Sequence, residues 1–152
     1  MFRGVSELSL DNKGRIAIPA RYRDQLMQYS QGHCIITIDT DESCLLIYPL
    51  PEWEKIEQQI EKLPSFNRQV RRVQRLLIGH ATDSVIDNHG RMLIPPPLRD
   101  FAKLQKEVVL IGQGRKFELW DENMWKNCRD QWLQEDIKDM QELPASLLSI
   151  SL

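Results

Sequence analysis

Asp11-Asn-Lys-Gly-Arg-Ile-Ala-Ile-Pro19 returns later in the chain as Asp87-Asn-His-Gly-Arg-Met-Leu-Ile-Pro95. The match runs on into Arg23-Asp24 and Arg99-Asp100, so that eight of fourteen positions are identical at a fixed offset of 76. Composition does not supply such agreement, and an internal repeat decides the architecture before any single element does. A duplicated core would repeat apolar residues, whereas these stretches repeat a polar loop that carries an arginine. Asn-x-Gly between alternating segments predicts a tight turn joining two short strands, residues 7–10 to 15–18 in the first copy and 84–86 to 92–94 in the second.

Outward from the loops, both halves follow one plan. Residues 21–29 predict a short helix with Tyr22, Leu26 and Tyr29 facing inward. Cys34-Ile-Ile-Thr-Ile38 and Cys44-Leu-Leu-Ile-Tyr48 are apolar strands around a polar hairpin tip. Val108-Val-Leu-Ile111 and Lys116-Phe-Glu-Leu-Trp120 answer them, with Gly112-Gln-Gly-Arg115 as the turn. Past the loops the offset shortens to 72, which aligns Leu45, Ile47, Tyr48 and Trp53 with Phe117, Leu119, Trp120 and Trp125. Helical spacing relates Trp53, Ile56, Ile60 and Leu63, then Phe66, Val70, Val73 and Leu77 after Pro64. A C-terminal stripe of Trp125, Cys128 and Trp132 continues through Leu133, Ile137 and Met140, and Pro144 ends that helix. These stripes predict core packing; the short apolar tail at 146–152 is the best candidate for docking against a neighbouring subunit. The expected class is α+β, with repeat one at 5–52, linking helices at 53–80, repeat two at 81–124, and a C-terminal helix and tail at 125–152.

Composition bounds the function. A chain of 152 residues suffices for one buried domain or for two small units around a shared core. With 41% hydrophobic and 28% charged residues it reads as soluble and globular. A formal net charge of −2 removes any global basic signature, so a polyanion partner would need local charge. Residues 1–30 hold five Lys/Arg against three Asp/Glu, with Arg3, Lys13, Arg15, Arg21 and Arg23 as the cations, whereas residues 121–142 hold seven acids and three bases. Three cysteines in no ligand spacing predict reduced, buried thiols rather than a disulfide or metal site. Neither a signal-peptide run nor an 18-residue apolar stretch is present, which predicts a cytoplasmic protein away from membranes. No phosphate-cradling glycine loop, metalloprotease motif or grouped histidines point to catalysis, a cofactor or a small-molecule substrate.

The loop chemistry is specific. Asn-x-Gly tolerates positive φ, and Gly14 and Gly90 would leave room for a partner to approach the backbone. Asp11 and Asp87 can accept from the turn's own amides. Arg15 and Arg91 then leave the turn with a planar fork suited to phosphate oxygens or a guanine edge. Lys13 adds a second cation in the first copy; His89 replaces it in the second and is mostly neutral near pH 7. A plainer role is an Asp–Arg pair that closes a hairpin, but closure alone seldom needs the same arginine twice.

The doubled loop, the opening Met-Phe-Arg-Gly and the chain length resemble the MraZ family across the whole sequence. That resemblance implies two AbrB-like swapped-hairpin repeats forming a pseudo-dimeric β-barrel, flanked by helices. It implies a ring-shaped homo-oligomer that binds double-stranded DNA at short tandem repeats upstream of its own gene. The expected function is repression of its operon, the division and cell-wall gene cluster, in a nucleoid-associated setting. Carried over by position, Arg15 and Arg91 are the signature arginines, and Asp11 and Asp87 open the loops. Arg15 is the expected strongest contact, with Lys13 and Arg91 assisting, and Arg3 and His89 are further candidate DNA-binding residues. The rival is an antitoxin-like protein-interaction barrel that does not bind DNA, in which the arginines would be buried in ion pairs with Asp11, Asp24 or their second-copy equivalents.

One further cluster stands out. Arg68, Arg71, Arg72 and Arg75 follow closely on Glu52, Glu54, Glu57 and Glu61. Adjacent helices of opposite charge predict a solvated face, or pairing within the chain or across a subunit boundary, in preference to a phosphate-tracking surface.

Overall fold

In the computed structural model, which describes residues 1–135 and 144–151, the chain begins β1 (Phe2–Ser9), β2 (Arg15–Ala17), α1 (Ala20–Ser30), β3 (His33–Ile38), β4 (Leu45–Pro49) and α2 (Leu50–Glu61). A short helix α3 (Arg68–Val73), prolonged by a π-helical turn over Gln74–Ile78, leads into the second copy. That copy runs β5 (Thr82–Val85), β6 (Arg91–Leu93), α4 (Pro96–Phe101), β7 (Glu107–Gly114) and β8 (Phe117–Asp121). Among the described residues α5 (Glu122–Gln134) and α6 (Ala145–Leu148) follow. Met1–Glu122 form one compact unit and Asn123–Leu152 a second.

The first unit is α+β, built on a six-stranded antiparallel sheet of order β1-β7-β8-β4-β3-β5. β2 and β6 pair separately as a two-stranded ribbon. The hydrogen-bonded ladder therefore does not close on itself, and β1 and β5 are its terminal strands. The strand at each end pairs with the other repeat: β1 lies along β7, and β5 lies along β3. The repeats are thus woven together, not stacked side by side.

Register shows how closely the copies are related. Ile16 pairs with Met92, its own counterpart at the offset of 76, and Leu46 pairs with Glu118, its counterpart at 72. A residue can face its own repeat-equivalent in an antiparallel pair only on a local two-fold axis. That axis passes through the middle of the β2–β6 ribbon and the middle of the β4–β8 pair.

Burial explains why these segments take their places. Apolar runs on β3, β4, β7 and β8 supply Ile36, Leu45, Ile47, Val108, Leu110, Phe117 and Leu119, all at or below 1% exposure. Removing such side chains from water is the main favourable term in folding. Phe2, Tyr22 and Phe117 pack ring against ring with centroids 4.3–6.0 Å apart, and the Tyr22 hydroxyl donates to the Arg3 carbonyl. Cys34 and Cys44 are buried, and desolvation pushes the Cys34 thiol up to about 12. Burial, with the nearby Glu118 and Asp39 carboxylates, also raises Cys44, so neither is an activated nucleophile.

Several local expectations are corrected. Tyr29 is 49% exposed, because a face set by Tyr22 and Leu26 leaves it at the margin, where its hydroxyl donates to Glu52 Oε1 at 2.6 Å. Phe66 is 90% exposed and precedes its helix, whose true start is Asn67, with Oδ1 accepting from the Gln69 and Val70 amides. Leu63 lies beyond α2 and is 44% exposed. Helix α1 ends with Gln31 at φ 55° and Gly32 at φ 78°, their amides returning to Met27 and Leu26 carbonyls.

In the second unit, the rings of Trp125 and Trp132 on α5 meet edge to face at 6.1 Å. Ile137 and Met140 of the expected stripe lie outside the described residues, as does Leu152 of the tail. Pro144 stands as the N-cap of α6. Among the described residues, no helix is long and apolar enough to cross a membrane.

Candidate nucleic-acid interface

The two repeated loops share one hydrogen-bond scheme. Asp11 Oδ1 accepts from the Lys13 and Arg15 amides at 2.9 Å each, while Oδ2 accepts from Arg15 Nε at 2.7 Å. Asp87 takes the His89 and Arg91 amides and Arg91 Nε in the same way, each at 2.9 Å. The turn is closed by Gly14 N to the Asp11 carbonyl and Gly90 N to the Asp87 carbonyl, both at 3.0 Å, with both glycines at positive φ. The Arg15 amide, followed by the Arg15 guanidinium and the Lys13 amide, holds the Asp11 carboxyl down at about 2. The Arg91 amide, then the His89 amide and the Arg91 guanidinium, lowers Asp87 likewise.

Each loop is also laced to the opposite repeat. Ile94 N donates to the Gly14 carbonyl at 2.8 Å, and Ile18 N donates to the Gly90 carbonyl at 2.9 Å. Along the ribbon, Ile16 and Met92 point inward and are fully buried. Alternation then sends Arg15, Ala17, Arg91 and Leu93 to the outer face. Arg15 and Arg91 are diagonal neighbours there, with Cβ atoms roughly 7–8 Å apart by sheet geometry.

The arginines fall between the two arrangements expected from sequence. Their side chains keep 24% and 31% of their exposure, and each is ion-paired with the aspartate of its own loop. The Asp–Arg pair does close the turn. It uses only Nε, however, and no described residue takes the Nη groups of either arginine. One edge of each fork is pinned and the other is left for a partner. Lys13 and His89 sit exposed at the loop tips. Arg3 is exposed but lies near the start of β1, six residues before the strand's end and on the order of 20 Å from the loop. The register therefore makes Arg15 and Arg91 neighbours on the ribbon, with Asp11 and Lys13 at one end of it and Asp87 and His89 at the other, and Arg3 lies away from the first loop.

The glycines differ from expectation. Gly14 and Gly90 are buried, and the space beside them is already filled. A Cβ on Gly14 would stand 2.5 Å from Cζ and Nη1 of Arg99, and one on Gly90 would stand 2.5 Å from Nη1 of Arg23. Each glycine admits an arginine of the opposite repeat, not an external backbone. In the sequence Arg23 and Arg99 stand out as identities at the offset of 76, and Arg23 also as one of the N-terminal cations, but neither points to a contact with a loop.

Of the two arrangements expected for Arg68, Arg71, Arg72 and Arg75, the structure shows the solvated face. Among the described residues none of Arg68, Arg71, Arg72 or Arg75 pairs with an acid of α2, and Glu52 is taken instead by Lys55 at 3.2 Å and Arg115 at 3.6 Å. The helix spends its apolar side on the sheet, where Leu76 packs on the core and the Leu77 carbonyl accepts from Thr37 Oγ1 at 2.7 Å. Its charged side is thereby turned away.

Comparison with known proteins matches this twofold construction. The family model for the MraZ protein fits the chain twice, over residues 1–76 and 77–143. A protein of Thioalkalivibrio sulfidiphilus named Transcriptional regulator MraZ is 57% identical over 152 residues, covering all of both chains. A Coxiella burnetii protein of the same name is 53% identical over 152 residues, again in full. Another, from Methylococcus capsulatus, is 57% identical over 135 residues, 89% of this chain and 88% of its own. No catalytic family is indicated by these relatives. With both repeats matched and relatives alike from end to end, the chain belongs to the MraZ family.

Proposed function

We propose that this chain is a sequence-specific DNA-binding transcription regulator, a repressor of its own operon in the division and cell-wall gene cluster. The observation that carries this reading is the pair of arginines on one ribbon face, each with its Nε fixed by its own loop and its Nη groups claimed by no described residue. A guanidinium held in place by its own loop loses less freedom on meeting a phosphate or a guanine edge. Arg15 is the strongest contact, with Lys13 beside it. Arg91 assists, with His89 beside it at the tip of the second loop. Asp11 and Asp87 act by holding the arginines. Arg3 makes a separate phosphate contact from the far end of β1.

A single chain with so few cations binds weakly, typically around 10⁻⁴–10⁻⁶ M for sequence-independent contact. Joining chains in a ring raises avidity by roughly 10²–10⁴ and suits short, regularly spaced DNA repeats. Arg68, Arg71, Arg72 and Arg75, without an acidic partner among the described residues, and Glu54, Glu57 and Glu61 on α2 supply complementary faces for head-to-tail contact between copies. We read the woven body as a pseudo-dimeric barrel, in which the β2–β6 ribbon bridges the terminal strands β1 and β5 through the two loops. The setting is cytoplasmic and nucleoid-associated.

The ion-paired arginines also favour the other reading, a protein-binding module. Salt titration of binding to the DNA upstream of its gene separates the two. Steep salt dependence, preference over scrambled DNA and loss in Arg15→Ala, with a smaller loss in Arg91→Ala, support the regulator. Equal binding to scrambled DNA, indifferent to either arginine, supports the module.

A further inference from the structure

The best-defined feature outside the DNA-facing residues is the reciprocal contact of Arg99 with the first loop and Arg23 with the second. Each arginine is the fourth residue of the helix that follows its own loop, yet reaches the loop of the other repeat. The contact is close: a Cβ on Gly14 would come within 2.5–2.8 Å of Cζ, Nη1 and Nε of Arg99, and one on Gly90 within 2.5–3.0 Å of Nη1, Cζ and Cδ of Arg23. Both Nε atoms are buried with no hydrogen-bond partner among the described residues. Neither arginine forms an ion pair among those residues, although Asp24 and Asp100 follow directly in sequence and are exposed.

Leaving a guanidinium nitrogen buried and unsatisfied is unfavourable, and here it occurs at both equivalent positions. An arginine kept for its charge would turn its fork toward an acid or to water. These two set guanidinium atoms directly against a glycine, a packing role that suits a planar group. Arg99 also lines an open cleft with Asp11 and Asn12, so its side chain borders the first loop over more than one residue.

We propose that Arg99 and Arg23 are positioning residues: each braces the loop of the opposite repeat and so fixes the direction in which Arg15 or Arg91 leaves the turn. The inference rests on the DNA-binding reading for its consequence, but not for its geometry. It makes loop one depend on repeat two and loop two on repeat one. The two DNA-facing loops are then one coupled device, and neither repeat carries a competent loop alone.

The test uses the full chain, with backbone amides followed by NMR without DNA and affinity for the upstream DNA measured alongside. Arg99→Ala should shift and speed exchange of the Lys13, Gly14 and Arg15 amides while sparing His89, Gly90 and Arg91; Arg23→Ala should do the reverse. Arg99→Met, which keeps the aliphatic stem, provides a better-folded version of the same change, and Arg99→Lys should not restore the loop. On DNA, Arg99→Ala should weaken binding about tenfold or more with the salt slope unchanged. It should add little to Arg15→Ala but combine additively with Arg91→Ala.

Loop-one amides indifferent to both Arg99→Ala and Arg99→Met would overturn the brace. Rescue by lysine, with a salt slope lower by about one in Arg99→Ala, would also overturn it, since that is the signature of a direct phosphate contact. A wild type without DNA preference, combined with the crossed amide pattern, would sink the regulator reading and leave the brace standing.

Discussion

Gly14→Ala tests the cross-repeat packing most sharply, because the chain contains its own control. Gly14 and Gly114 have nearly the same φ, 81° and 82°, but different surroundings. A Cβ at Gly114 would meet nothing nearer than Met1 Cε at 3.7 Å, an ordinary contact, whereas at Gly14 it would run into the Arg99 guanidinium at 2.5 Å. Alanine in the left-handed region costs about 1–2 kcal/mol. Reduced freedom of the unfolded chain offsets about 0.4–1 kcal/mol of that. Gly114→Ala should therefore destabilise by about 0–1.5 kcal/mol. Gly14→Ala carries the same backbone term and adds overpacking, about 1–3 kcal/mol. Urea unfolding followed by circular dichroism measures both, and Arg99→Ala completes a cycle. In the double variant the clash is gone, so the pair should be less destabilised than the sum of its parts by about 1–3 kcal/mol. Equal losses in Gly14→Ala and Gly114→Ala, with additive behaviour toward Arg99→Ala, would refute the contact.

Three other outcomes follow from the same geometry. A fragment of residues 1–52 loses β7 from β1, β8 from β4 and β5 from β3, so it should show no cooperative melt as a monomer; a monomeric fragment that unfolds cooperatively would contradict the weaving of the repeats. Asp11 has a folded pKa depressed to about 2, below the unfolded value of about 3.9, so its contribution to loop order is complete above pH 4 and is lost only as pH falls toward 2. An NMR titration of its carboxyl with an inflection near 4 would show that the Arg15 and Lys13 contacts are absent. Charge reversal of Arg72 and Arg75 to glutamate should shift the assembly to smaller species in low-salt sedimentation, and adding Glu54→Arg and Glu57→Arg should restore it; no change in size would remove α2 and α3 as the interface.

Much of this was legible before any coordinates. The offset of 76 located both loops, because a turn needing a glycine at positive φ and an aspartate to accept its amides tolerates few substitutions. Short runs such as Cys34–Ile38 and Val108–Ile111 announced buried strands by their unbroken apolar character. Charge on the α3 helix was visible too, and so was a solvated face as one of its two readings; the choice between that face and pairing with α2 was not. Which way Arg68 to Arg75 point is decided by how Leu76 and Leu77 dock on the sheet.

Local sequence determined the loops, the strands and the two-copy plan, since turn chemistry and apolar periodicity act over a few residues. Only the tertiary structure decided which strand pairs with which, and so that β1 belongs with β7 and β5 with β3. Partner choice depends on burial summed over the whole core, and no short window records it. The same is true of Gly14 and Gly90, read as openings for a partner and found filled by Arg99 and Arg23 from the opposite repeat. A contact between residues 85 positions apart leaves no trace in the spacing of either one.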